Sequence, residues 1–245
     1  MLAMLREETT FAKADLSSLF YFIVGGESMP IALIEAWHQK GIAIRQGYGM
    51  TEVGPNLTSL HQKDAIRKKG SIGFPNFYLE TSIQDKEGQE VANGAAGELC
   101  LRGAVVSPGY WNRPEATAKS WRNGWFRTGD RVRKDEEGYL YVVDRIKNMY
   151  ISGGENVYPA EVEKVLCSHP SVAEAIVVGI PHPKWGETGK AFIVSTDQTT
   201  DQDKLICYCK KYLAKFKIPT QFQFLSKLPK HDTGKIDRKK LKSSY

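Results

Sequence analysis

Gly47-Tyr48-Gly49-Met50-Thr51-Glu52 sets an aromatic ring, a hydroxyl and a carboxylate on a stretch of chain loosened by glycine. A tyrosine face can stack on a purine, and a threonine hydroxyl can donate to a phosphate. A glutamate suits magnesium, a hard cation that takes oxygen donors. The same residues would also make an ordinary turn with a packed tyrosine. Gly124-Trp125-Phe126-Arg127-Thr128-Gly129-Asp130 ends in a carboxylate, a natural partner for paired ribose hydroxyls or else a plain surface Asp. Asp144-Arg145-Ile146-Lys147, followed by Gly153-Gly154, reads either as a solvated linker or as a hinge, a few residues that absorb backbone rotation. Pro229-Lys230-His231-Asp232-Thr233-Gly234-Lys235-Ile236 puts a lysine beside a glycine. By composition alone, Lys235 is one more charge in a basic tail. Neither Gly189-Lys190 nor Gly234-Lys235 has the Ser/Thr and upstream glycine spacing of a P-loop. Cys100, Cys167, Cys207 and Cys209 show no paired zinc spacing and are expected to be reduced and structural.

The elements that must carry these residues are partly visible. Residues 19–24 form a short apolar run, as in a buried strand. Ser28-Met29-Pro30 can open a helix in which Ile31, Ile34 and Trp37 share a face, with Gly41 as its stop. Residues 42–44 begin a second strand that ends at Gly47. Strand, helix, strand predicts a right-handed parallel crossover. Two glycine-bearing loops, Gly25-Gly26-Glu27 and residues 47–52, then emerge at one carboxyl edge, where open α/β sheets bind ligands. Residues 77–144 read as an antiparallel sheet or small barrel, with strands at 78–83, 98–102 and 139–143 between turn-rich segments. Beyond Pro159 come a helix with Val162, Val165 and Leu166 on one face, strands at 172–178 and 191–195, and a helix at 203–214. A single crossover is little for a parallel sheet, which is normally covered on both faces. The sequence is therefore expected to begin partway through a larger domain.

The 245 residues carry 34 basic and 28 acidic side chains. The net charge of +6 lies wholly in residues 147–245, where 16 basic face 10 acidic groups, and residues 204–245 hold 12 and 2. With 41% hydrophobic and 25% charged residues the composition is that of a globular protein, not of a disordered chain. No apolar run nears the ~20 residues a membrane span needs. Arg6, Glu7 and Glu8 stand where a secretory leader would be apolar. A cytoplasmic chain without a transmembrane segment is expected. Nucleic acid is not expected as a partner, because lysine-rich terminal helices are commonly just solvated.

In their order, Tyr48-Gly49-Met50-Thr51-Glu52, Gly97-Glu98-Leu99 through Gly109-Tyr110-Trp111, Gly124 to Asp130, Asp144 to Glu163, and Gly234-Lys235 resemble the AMP-forming adenylating enzymes. These include acyl-CoA synthetases, adenylation domains of nonribosomal peptide synthetases, and luciferases. Residues 151–159 look like the acyl-CoA synthetase version. The resemblance implies an α/β plus α+β architecture. Residues 1–144 would be the C-terminal part of a large α/β and β-barrel adenylating domain, 145–147 a hinge, and 148–245 a small mobile α+β domain. It implies a two-step ligase: a carboxylic acid, fatty or related, and ATP give an acyl-adenylate, and coenzyme A then takes the acyl group with release of AMP.

Residue by residue, the resemblance gives Gly25, Gly26, Glu27, Tyr48 and Gly49 to the nucleotide, Thr51 to phosphate and Glu52 to magnesium. Asp130 with Arg145 would hold the ribose, Lys147 the hinge, and Gly153 and Gly154 the coenzyme A entry. Lys235 would be the lysine of adenylation. The chemistry suits these types: two like charges ~4 Å apart repel by about 4 kcal/mol at an effective dielectric of 20, and a lysine and a magnesium ion cancel that repulsion. The family's Ser/Thr/Gly-rich phosphate loop ending in Pro-Lys is not among these residues. The expectation is thus a C-terminal part that needs an N-terminal half and is weakly active or inactive alone. The alternative is a non-catalytic module that binds nucleotide or coenzyme A.

Overall fold

In the computed structural model, residues 1–197, 199–232 and 234–243 are described, so Thr233 of the lysine-bearing loop lies outside them. Helix α1 (Leu2–Glu7) precedes strand β1 (Tyr21–Val24), helix α2 (Ile31–His38) and strand β2 (Ala43–Met50). β1 and β2 are parallel, with Tyr21 opposite Ala43 and Val24 opposite Gln46, as the crossover pattern predicts. α2 buries Ile34 and Trp37. The rings of Phe11 and Phe22 stand edge-on to Trp37 at 5.0 and 5.2 Å. Pro30 sits one residue ahead of α2, where its missing N–H leaves nothing unpaired. Gly41 has φ of +79° and ends the helical segment.

β2 does not end at Gly47. Residues 47–50, expected as a loop, continue the strand, and the chain turns only at residues 51–53 into antiparallel β3 (Gly54–Ser59). The glycines read as loop signals serve close approach instead: a Cβ on Gly49 would stand 2.6 Å from the Gly54 carbonyl oxygen. β4 (Phe74–Pro75) completes a four-stranded sheet in the order β1-β2-β3-β4.

The next elements are β5 (Glu80–Gln84), β6 (Ala96–Arg102), α3 (Pro114–Ser120), β7 (Trp121–Arg122), β8 (Trp125–Lys134) and β9 (Leu140–Arg145). They form a five-stranded sheet ordered β5-β6-β8-β7, with β9 beside β8. β8 went unanticipated because its buried positions, Phe126, Asp130 and Val132, include a carboxylate that breaks the apolar alternation.

The rest comprises β10 (Tyr150–Ser152), β11 (Glu155–Val157), α4 (Pro159–Cys167), β12 (Val172–His182), β13 (Gly186–Ser195), α5 (Gln202–Cys209), β14 (Gln221–Phe224) and α6 (Arg238–Lys242). Alternation along the antiparallel β12–β13 ribbon serves two cores. Val177, Ala191 and Ile193 join Val162, Leu166 and Leu205 on one face. Ile176, Val178 and Phe192 join Leu228, Leu241 and Ile236 on the other. The second helix stops at Cys209 instead of reaching Ala214, and a tight turn follows, in which the Leu213 amide donates to the Cys209 carbonyl at 2.8 Å. The chain divides into two units, Met1–Thr128 with Val132–Val142 and Gly129–Arg131 with Val143–Tyr245. Among the described residues no helix is long and apolar enough to cross a membrane.

Tyr150 fills a slot cut by two glycines. A Cβ on Gly179 would lie 2.4 Å from the Tyr150 Cβ, and one on Gly189 2.5 Å from its hydroxyl. That hydroxyl is buried without a hydrogen-bond partner among the described residues. Burial and the nearby Glu163 and Glu187 push its pKa far above the usual phenol range. Tyr150→Phe is therefore expected to leave the urea midpoint unchanged or raise stability by up to about 1 kcal/mol. A clear loss of stability would show that the hydroxyl has a partner.

Candidate functional site

In the first unit, Gly25 follows β1 directly and a Cβ there would touch the Gly47 carbonyl oxygen at 3.3 Å. The residues expected at one sheet edge are thus side by side. Glu27 is exposed, Tyr48 is half-buried, and Thr51 stands exposed on the β2–β3 turn. Tyr48 packs against the core around Leu57, Leu99 and Phe126. A cleft of about 220 Å³ opens beside Gly47, lined also by Ile23, Arg45, Gln46, Asn56, Ser59 and Asn76.

Glu52 is held at both its ends. Its carbonyl accepts the Ser107 N–H at 2.8 Å. Its Oε1 accepts the Tyr110 hydroxyl at 2.9 Å. Burial and then the Glu52 carboxylate raise the Tyr110 phenol pKa, which keeps that proton on the donor. Oε2 has no hydrogen-bond partner among the described residues, so one anionic oxygen is left to face a cation. Among the described residues no three His, Cys, Asp or Glu side chains gather as a metal cage. A magnesium ion here would rest on Glu52 and on ligand phosphate oxygens, the usual arrangement for an ion that keeps few protein donors. Tyr110 was not foreseen in this role, although Gly109-Tyr110-Trp111 was the sequence signal that could have found it.

In the second unit, Asp130 is almost fully buried and its Oδ1 lies 2.9 Å from Nε of Arg145, whose side chain is half exposed. Asp144, read in the sequence as part of a solvated linker or a hinge, is a buried hub. It accepts the Arg145 N–H at 2.6 Å, the Asn148 side-chain amide at 3.3 Å and the Ala160 N–H at 2.8 Å. The last of these caps α4, whose N-terminus favours an anion. Asp144 stands sixteen positions before Ala160, a spacing that no local capping pattern reveals. Lys147 is exposed within a single 3-10 turn, Ile146–Asn148.

Gly153 and Gly154 form the tight turn between β10 and β11. The ring of Trp185 packs so closely that a Cβ on Gly153 would stand 2.9 Å from it, and the Gly153 N–H donates to the Trp185 carbonyl at 2.9 Å. Trp185 is another residue the sequence did not single out. Lys235 is exposed on a loop closed by its own backbone. The Gly234 N–H donates to the His231 carbonyl, and the His231 N–H to the Lys235 carbonyl, each at 2.8 Å.

Two family descriptions match the chain: AMP-binding enzyme over residues 1–111 and AMP-binding enzyme C-terminal domain over residues 161–235. A long-chain-fatty-acid–CoA ligase of Mycobacterium tuberculosis is 41% identical over 245 residues, 100% of this chain and 48% of the ligase. The structure of an o-succinylbenzoate CoA synthetase from Bacillus subtilis in complex with its acyl-adenylate intermediate superposes with a TM-score of 0.87 at 41% identity, covering 100% of this chain and 49% of that one. The same synthetase in complex with ATP and magnesium gives 0.85 at 41% identity, covering 98% and 49%. The chain spans about half the length of the curated relatives it matches.

Proposed function

Because the chain belongs to the AMP-binding enzyme family, we propose that it supplies the nucleotide rim and the small catalytic domain of an AMP-forming acyl-CoA ligase. In the first step a carboxylate oxygen attacks the α-phosphorus of ATP and pyrophosphate leaves. In the second, the thiol of coenzyme A attacks the acyl carbon of the adenylate, and AMP leaves as the thioester forms. Gly25, Gly26, Glu27, Tyr48 and Gly49 border the adenine, Thr51 donates to phosphate, and Asp130 with Arg145 takes the ribose hydroxyls. Magnesium, held on Glu52, would neutralise phosphate charge. Lys147 is the pivot, Gly153 and Gly154 line the thiol's approach, and Lys235 brings positive charge to the adenylation step. The acid is fatty or a related acyl acid, and the compartment is the cytoplasm.

The observation that supports this most is the carboxyl edge of β1 and β2. There Gly25 meets Gly47, a cleft lined in part by Arg45, Gln46 and Asn56 opens, and the next turn presents Thr51 and Glu52, one of whose carboxylate oxygens has no partner among the described residues. These 245 residues contain no Ser/Thr/Gly-rich phosphate loop, so by themselves they bind nucleotide without completing the reaction. Calorimetry on the chain alone should therefore detect AMP, with no pyrophosphate released from acid and ATP. A fusion to the amino-terminal half of the Mycobacterium tuberculosis relative should release pyrophosphate only with acid, ATP and magnesium together, and should form thioester only with coenzyme A. No nucleotide binding by the chain, or acid-independent pyrophosphate release by the fusion, would overturn the proposal.

A further inference from the structure

His231, Asp232, Gly234 and Lys235 are exposed, yet the stem beneath them is tied down. The stem is a single antiparallel bridge, Lys230 to Ile236, reinforced by the Asp237 N–H on the Pro229 carbonyl at 2.9 Å. Ile236 packs into the core beside Phe192 and Leu241, so its neighbour Lys235 must point the other way along the extended stem. Asp237 caps α6 through the Lys240 N–H at 3.0 Å. The next residue, Arg238, reaches across to α4. Its two terminal nitrogens donate to the two oxygens of Glu163 at 2.8 and 2.9 Å. The pair also grips β12: Arg238 donates to the Val177 carbonyl at 2.9 Å, and the Val177 N–H donates to Glu163 at 2.7 Å. Both side chains are largely buried, at 27% and 13% exposure.

A bidentate guanidinium–carboxylate fork fixes orientation as well as distance, which a lysine in place of arginine cannot do. Only Ile236 and Asp237 separate the fork from Lys235, and this intervening backbone is itself hydrogen-bonded. We propose that Glu163 and Arg238 are positioning residues for Lys235. They anchor its loop to the α4–β12 scaffold, so that the amine arrives at a fixed point when it serves adenylation. This rests on the reading of Lys235 given above.

Hydrogen–deuterium exchange on the full chain tests the anchoring directly. In Glu163→Gln and in Arg238→Lys, the amides of His231, Gly234 and Asp237 should exchange about tenfold faster, while the β12–β13 ribbon keeps its protection. In the fusion, the same variants should lower acyl-adenylate formation about tenfold and leave thioester formation from preformed adenylate unchanged. Unaltered loop exchange overturns the proposal. So does an equal loosening of loop and ribbon, which would mark the pair as a general support of the fold. If Glu163→Gln does not fold, Arg238→Lys decides. If the loop loosens but both half-reactions fall together, the positioning role stands and the reading of Lys235 falls.

Discussion

In the fusion, Lys235→Ala is expected to cut acyl-adenylate formation about 100-fold or more, the usual cost of removing one preorganised charge or donor from a transition state. Thioester formation from preformed adenylate and coenzyme A should stay close to the unaltered rate. The asymmetry follows from where negative charge meets. In the first half-reaction an anionic acid must approach an anionic phosphate, and a cation at that point lowers the barrier only while both anions are present. In the second, the thiol adds to the acyl carbon and AMP leaves as an anion; no carboxylate has to be driven against the phosphate, and an amine held at that point would stand in the thiol's way. Lys235 is exposed, so alanine removes the charge without opening a cavity. Pyrophosphate release and chromatographic thioester assays separate the two steps. Equal losses in both would show that Lys235 acts on folding or on a shared step.

Gly49→Ala is expected to have a large effect on the hairpin that carries Thr51 and Glu52. The new Cβ would stand 2.6 Å from the Gly54 carbonyl oxygen and 3.0 Å from the Asn56 nitrogen and the Pro55 Cα. All three obstacles are main chain, so none can swing aside as a side-chain tip would. Overpacking of this kind costs roughly 1–3 kcal/mol. For a domain of this size that is a melting point lower by roughly 2–4 °C per kcal/mol. The β2–β3 hairpin must splay to accept the methyl, and the Thr51–Glu52 turn moves with it. Nucleotide affinity of the chain should therefore fall together with thermal stability. A variant as stable as the parent, with unaltered AMP binding, would show that the hairpin is far looser than its geometry implies.

How much of this was readable beforehand depends on whether a residue's partner is near in sequence. The β1–α2–β2 crossover was legible because each piece announces itself: an apolar run, an apolar face at helical spacing, and Gly41 as a stop. The same local logic misled at residues 47–50, where glycine usually means a loop. Here the missing side chain admits the backbone of β3, a partner that only the fold supplies. β8 escaped because Asp130, a buried carboxylate, occupies an inward position and finds Arg145 fifteen residues later. Glu52 was singled out by type, but Tyr110, fifty-eight residues away, determines which of its oxygens is free. Asp144 as a cap for α4 and Arg238 as the clamp on Glu163 were invisible for the same reason.

The three hydrogen bonds gathered by Asp144 have a mechanical meaning. Arg145, Asn148 and Ala160 all lean on one carboxylate, and Lys147 lies between the first two. Twisting the chain at Lys147 must therefore strain or release bonds that share a single acceptor, each worth about 1 kcal/mol net. With Lys147 as the pivot proposed above, such a joint would behave as a detent that holds its resting position until these bonds give, rather than as a slack tether that drifts through every angle. The sharpness of that position would be set by one buried aspartate.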